Sequence, residues 1–260
     1  LHTAYRRQRQ MCIRDRLYYR ELLTTDRDAY GIYVQSPFPK ENRRILIGSD
    51  VSSRYTRRNR AEYRKIAGYI ARCVWQRQGN YMVFFPSYRL MEDVLQVYEE
   101  EFSVDWVRCV CQTPDMTEQE REGFLEEFQE REGTLVGFCV LGGIFSEGVD
   151  LTGESLIGAV IVGTGLPQIG SQREILKEYY DKKNHCGFDY AYRYPGMNKV
   201  LQAAGRVIRT KEDKGVILLL DDRFWDRDYQ EIFPREWQDR TGCRLDTVEG
   251  AVETFWKRFT

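Results

Sequence analysis

The feature that most constrains this chain is the alternation of short apolar runs with longer amphipathic segments. Apolar runs at 81–85, 106–110, 134–141, 157–162 and 215–220 are each five to eight residues long. That length suits a strand buried on both faces and is too short for a helix. Between the runs the spacing changes. Leu90, Met91, Val94, Leu95, Val97 and Tyr98 recur at near-helical intervals. Residues 117–131 read as an acidic helix opened by a Thr117/Glu120 capping box. Residues 172–183 and 197–208 read as two more helices. Strand and helix in regular alternation predict an α/β domain with a mostly parallel sheet. Right-handed crossovers then place helices on both of its faces. The stretch 32–51 is expected to add extended structure before a first core helix at about 59–77, and 248–259 to close the chain as a helix. No repeat and no linker rich in Pro, Gly or Ser divides the 260 residues, so one domain with modest extensions is expected.

Composition excludes several classes. At 42% hydrophobic and 30% charged residues the chain can bury a core, which rules out collagen-like, mucin-like and wholly disordered readings. Mean hydropathy is −0.58, and no run approaches the roughly 18 apolar residues of a membrane-spanning helix. The arginine-rich first residues lack the apolar core of a signal peptide. The expectation is a soluble, cytoplasmic protein with no membrane partner. Thirty-nine basic against forty acidic residues give a net charge of −1, but unevenly. Arginines and Lys65 crowd 43–77, whereas Glu99, Glu100, Glu101 and the stretch 118–132 are acidic. That pattern fits either a local polyanion-binding face or two solvated helix faces. Seven cysteines without a CxxC, and only His2 and His185, argue against zinc, Cys/His and Ser/His/Asp sites. Reduced thiols are expected.

In a parallel sheet, ligands collect beyond the carboxyl ends of the strands. Three segments there carry chemistry. Gln202, Arg206 and Arg209 stand at i, i+4 and i+7, which predicts one helical face, and Gly205 leaves room beside it. Two arginines and a glutamine suit a polyphosphate; a solvated basic stripe is the other reading. Glu147 and Asp150 flank Gly148, as an acid/base pair or as a surface turn, and no sugar-binding aromatics accompany them. Ser87 and Tyr88 follow an apolar run, where a hydroxyl can meet a phosphate and a ring can stack on a base. Tyr88 packing into the core is the alternative.

Taken in order, these segments resemble the second motor domain of the superfamily 2 DNA helicases related to DinG and XPD. Residues 82–91 (MVFFPSYRLM) look like that family's motif IV, and 143–150 (GIFSEGVD) like motif V. The Ile-x-Gly-x-Gly-Leu-Pro pattern follows at 161–167. Gln202 to Arg209 matches the motif VI pattern QxxGRxxR, with Asp213, Gly215, Asp221, Asp222 and Arg223 in the expected places. Upstream, 18–23 and 36–38 look like the segment after motif III. The resemblance covers about 17–260 and implies a RecA-like three-layer domain with a mostly parallel sheet and helices on both faces. It implies that Arg206 and Arg209 reach the γ-phosphate of ATP as arginine fingers, with Gln202 positioning nucleotide or water. Gly148, Asp150, Glu147 and Gly205 would line the nucleotide side, Glu147 and Asp150 coupling nucleotide state to the grip on DNA. Ser87, Tyr88 and Arg89 would lie along single-stranded DNA.

The same resemblance shows what this sequence does not carry. It contains no Gly-x-x-x-x-Gly-Lys-Ser/Thr and no Asp-Glu-x-His run, so ATP and Mg2+ would be held mainly by a first motor domain acting in cis. The chain alone is expected not to hydrolyse ATP, and an iron–sulfur cluster is not encoded in it. Where the family has a Ser-Ala-Thr-Leu motif before Tyr18, residues 9–16 read RQMCIRDR; 1–16 are expected to be non-native or disordered and 17–260 to form the domain. Three alternatives stand beside this reading. One is a standalone or regulatory nucleic-acid-binding domain using Arg54 to Arg77 with Tyr55, Tyr63 and Tyr69. The others are a small-molecule α/β enzyme and a catalytically inactive paralogue.

Overall fold

Parallel pairing of every apolar run sets the architecture. The computed structural model describes Tyr18, Leu23 and residues 36–129, 133–145 and 155–259. The expectation for 1–16 therefore lies outside the described residues. The strands are β1 (Arg43–Gly48), β2 (Asn80–Phe85), β3 (Val107–Cys111), β4 (Thr134–Val140), β5 (Gly158–Val162), β6 (Gly215–Leu220) and β7 (Thr241–Cys243). They form one seven-stranded sheet in the order β3-β4-β2-β5-β6-β1-β7, with every pairing parallel. All strands thus end on the same edge.

The helices are α1 (Arg60–Val74), α2 (Tyr88–Glu101), α3 (Glu118–Glu127), α4 (Ser171–Asn184), α5 (Tyr194–Ala204), the single turn α6 (Arg227–Gln230) and α7 (Val248–Trp256). Successive strand side chains point to opposite faces, and the core divides accordingly. Met82 and Phe84 join Phe124, Tyr180 and Met197 in a layer under α3, α4 and α5. Tyr81, Val83 and Phe85 join Ile70, Val94 and Val252 in a layer under α1, α2 and α7. Both faces are covered, which is why the strands read as continuous apolar runs. This is the RecA-like α/β fold the sequence predicts.

Local chemistry sets the helix starts. Asn59 caps α1, its side chain accepting the Glu62 N–H at 3.0 Å. The Thr117/Glu120 capping box opens α3. Several ends differ from expectation. The first core helix stops at Val74, α3 at Glu127, and the strand expected at 106–110 begins at Val107 with Trp106 left outside it and exposed. β7 was not expected, because three residues with a central glycine give no period.

The uneven charge resolves largely into internal pairing. Arg60 reaches Glu100 at 2.6 Å and Glu101 at 3.3 Å, and Arg64 reaches Glu101 at 2.5 Å. Arg72 donates to the Leu245 carbonyl, and Arg77 lies 5.2 Å from the Trp256 ring centroid. Tyr69 is fully buried, its hydroxyl donating to Asp50. The basic stretch along α1 is therefore largely occupied by the acidic end of α2 and by the C-terminal segment, and the preceding residues 54–58 stand apart from these contacts.

Leu218 sits in β6 at 0% exposure, between β5 and β1. Leu218→Ala is expected to cost about 2–5 kcal/mol in urea unfolding, from lost burial and the cavity left behind. A loss below about 1 kcal/mol would show that this position is not the centre of the sheet.

Candidate functional site

The carboxyl edge of the sheet gathers three chain segments, tied together by buried polar groups and by glycines, and α5 runs from that edge to a fourth segment at the opposite one. The first tie is Asp221, 0% exposed at the end of β6. Its carboxylate accepts from the Ser53 N–H at 2.9 Å and the Ser53 hydroxyl at 2.6 Å. It also accepts from Arg223 Nε at 2.7 Å and Nη2 at 2.9 Å, and Arg223 Nη2 donates to Ser53 Oγ at 3.0 Å. Burial works against the charge on Asp221, but the Arg223 guanidinium and Ser53 outweigh it and hold the carboxyl below the usual range. The loop after β1 is thereby locked over β6. Gly163, at φ +84°, lets it continue towards β5: a Cβ there would lie 2.5 Å from Ser53 Oγ and 3.7 Å from Pro86 Cγ.

Pro86 leads into the second segment. Ser87 is the N-cap of α2, its hydroxyl accepting the Leu90 N–H at 3.4 Å. Tyr88 is half-buried and packs on the core, and its hydroxyl accepts from Gln112 Nε2 at 3.0 Å. The packing reading of Tyr88 thus describes its ring. Arg89 is exposed. Gln112, 4% exposed, also accepts the Val140 N–H through Oε1 at 2.9 Å, so one side chain joins the ends of β3 and β4 to the start of α2. Sequence reasoning missed Gln112; its only signal is a lone amide directly after an apolar strand.

The third segment follows β4. Phe145 stacks on Phe124 at 4.2 Å, and Glu147, Gly148 and Asp150 lie outside the described residues. The Gly-x-Gly pattern after β5 has a clear structural purpose. A Cβ on Gly165 (φ +67°) would lie 2.6 Å from the Gly196 carbonyl oxygen, and one on Gly196 would lie 2.7 Å from that of Thr164. Backbone meets backbone here, which seats α5 against the loop after β5.

That helix leads away from the carboxyl edge into the fourth segment, which therefore lies at the opposite edge and not beyond the carboxyl ends as expected: a Cβ on Gly215, the first residue of β6, would stand 2.1 Å from Val207 Cγ1. A π-helical turn, Asp189–Arg193, precedes α5, and Gln202 lies in the last turn, half-buried. The predicted single helical face of Gln202, Arg206 and Arg209 is corrected here: α5 ends at Ala204, and Gly205 caps it. The Arg206 and Val207 N–H groups donate to Ala203 and Ala204 at 3.2 and 3.3 Å, tightening the chain out of the helix. Val207 and Ile208 are buried, at 1% and 8% exposure, and anchor the turn. Arg206 and Arg209 flank that apolar pair, both half-buried. Asp213 then fixes the second arginine's backbone. Its carboxylate accepts the Arg209 and Thr210 N–H groups, each at 2.7 Å, and the Thr210 hydroxyl at 2.8 Å. Lys199, one turn before Gln202, lies where a side chain on Gly142 would stand (Cε 2.7 Å from that Cβ), so α5 also touches the loop leading to Glu147.

Burial pushes Cys109 and Cys111 up to about 11 and Cys73 and Cys243 up to about 12, which leaves these thiols poorly nucleophilic. Among the described residues no group of His, Cys, Asp and Glu is placed to hold a metal ion, and no helix is long and apolar enough to cross a membrane.

A seven-stranded parallel sheet covered by helices on both faces is a RecA-like α/β fold. The helicase C-terminal domain family matches residues 70–240, and the chain belongs to it. A probable ATP-dependent helicase of Methanocaldococcus jannaschii is 29% identical over 206 residues, 75% of this chain and 31% of that protein. The ATP-dependent DNA helicase XPD of Sulfolobus acidocaldarius is 30% identical over 189 residues, 68% of this chain and 31% of that protein. The chain therefore spans about a third of the length of these curated relatives. A solved XPD helicase structure superposes with a TM-score of 0.61 at 24% identity, over 77% of this chain and 35% of that one.

The Asp221 carboxyl, held below its usual range, contributes stability at neutral pH. That contribution is present above the ordinary carboxylate range and is lost as pH falls below it through the lowered folded-state value. Asp221→Asn is expected to cost roughly 3 kcal/mol at pH 7, because the largely covered Arg223 guanidinium loses its carboxylate partner. It should also flatten the acid limb of a urea-denaturation pH series; an unchanged acid limb would contradict the assignment.

Proposed function

We propose that this chain is the second motor domain of an ATP-dependent DNA helicase, supplying Arg206 and Arg209 to an ATP site completed by a first motor domain. The observation that carries the reading is the turn after α5. Two half-buried arginines flank the buried Val207–Ile208 pair, and Asp213 holds the backbone of the second. Phosphoryl transfer needs cations at the oxygens where charge spreads, held in place before the reaction. Buried apolar neighbours and a backbone-fixing carboxylate provide such holding. Gln202, in the preceding turn, is assigned to orienting nucleotide or water. Mg2+ and the phosphate-cradling lysine belong to the first domain in this reading.

Single-stranded DNA is assigned to segments at the carboxyl edge of the sheet. Ser87 sits at the N-terminus of a fourteen-residue helix, where free N–H groups favour a phosphate, and exposed Arg89 stands in its first turn. Glu147, Gly148 and Asp150 are assigned to the link between the two ligands. Support for such a link comes from the start of their loop, where Gly142 lies against Lys199 of α5 and Gly143 against Gln112. Closure of two motor domains on ATP, and reopening after hydrolysis, would then alternate the grip on the strand. The internal pairing of α1's arginines favours this reading over a module that binds nucleic acid along α1.

The test is substitution in the two-domain enzyme. Arg206→Ala and Arg209→Ala are each expected to lower DNA-stimulated ATP turnover by about 10³-fold, while single-strand affinity stays within about threefold. Loss of strand binding with intact turnover would overturn the assignment.

A further inference from the structure

The loop after β1 presents a feature that the reading above does not use. Tyr55 is 80% exposed, on a short 3-10 turn, Tyr55–Arg57. An exposed ring on a floppy loop would mean little, but this turn is pinned. Val51 accepts the Asp222 N–H at 2.9 Å, and Ser53 is gripped by Asp221 and Arg223. The neighbouring arginines divide by role. Arg54 and Arg57 face Asp222 at 3.4 and 3.3 Å, and Arg57 also faces Glu62 at 3.4 Å. Arg58 instead donates to the Ser53 carbonyl at 3.4 Å and lies 5.5 Å from the centroid of the Tyr55 ring. No carboxylate stands within ion-pair distance of it among the described residues.

The turn also faces α2. Burial and the nearby Asp93 of α2 push the Tyr63 hydroxyl of α1 above its usual range, while Arg58 and Arg89 both stand close enough to pull it down. Ser53 and Pro86 approach each other across Gly163. An exposed ring, a cation beside it and the exposed Arg89 of α2 therefore occupy one stretch of the sheet's carboxyl edge.

We propose that Tyr55 and Arg58 form a further contact for single-stranded nucleic acid, the ring stacking on a base and the guanidinium taking the adjoining phosphate. The contact extends the strand path at Ser87 and Arg89, and so rests on the single-strand reading above. Stacking on a rigidly held aromatic tolerates any base, because every base has a π-face. A guanidinium beside the ring suits the phosphate that follows.

The test is fluorescence anisotropy of the 260-residue chain with a labelled oligothymidylate at low salt, each variant checked for its native circular dichroism. Tyr55→Ala is expected to weaken binding about tenfold, and Tyr55→Phe to stay within about twofold of the wild type. Arg58→Ala should reduce the slope of log affinity against log salt by about 0.7. Full affinity in Tyr55→Ala, with weakened binding in Arg89→Ala, would remove the Tyr55 contact and leave the single-strand reading standing. An equal loss in Tyr55→Phe would overturn stacking. A wild-type chain that binds no single strand would overturn the single-strand reading itself, and this contact with it.

Discussion

Parallel strand pairing is the constraint on which the rest of this structure depends. Because every strand runs the same way, every loop that follows a strand emerges on one edge, and every crossover must return across a face. Segments far apart in the chain, at 49–58, 86–89, 112, 141–145, 163–167 and 221–223, are thereby delivered to a common rim. The two apolar layers fix the strands rigidly enough for that rim to be a defined surface. Burial at or near 0% for Leu46, Val83, Val160 and Leu218 leaves little slack.

What joins the rim into one unit is a small set of close approaches rather than a broad interface. Asp221 draws Ser53 and Arg223 together, Gln112 joins the ends of β3 and β4 to Tyr88, and Gly165 admits the backbone of α5. Each is costly to disturb, since a lost partner leaves a buried polar group unsatisfied and an added Cβ meets backbone. Displacement of α5 would therefore be felt in the loops after β4 and β5. In the proposed motor this is the path by which events at the arginines reach the strand. Its elements are packed groups, which tend to switch between arrangements rather than deform smoothly.

Much of the fold was legible in the sequence. The five apolar runs appear as strands and the Thr117 capping box as a capped helix. The end of α5 was not legible, because Val207 and Ile208 continue the helical period; their burial serves a turn that brings Arg206 and Arg209 out of the helix. The π-helical turn before α5 and the edge strand β7 leave no periodic trace. Charge misled for a related reason: sequence shows the basic stretch of α1 but not that the acidic end of α2 lies across from it. Tyr55 and Tyr69 look alike on paper, and only packing separates an exposed ring from a buried one.

The central claim is that the arginines of the turn after α5 complete an ATP site shared with another motor domain. The most direct measurement is a structure of the two-domain enzyme holding ADP and a planar phosphate mimic. The account predicts the guanidinium groups of Arg206 and Arg209 at about 3 Å from the mimic's oxygens, with Asp213 still holding the turn. Both arginines turned away from the nucleotide in a closed, DNA-bound complex would contradict it.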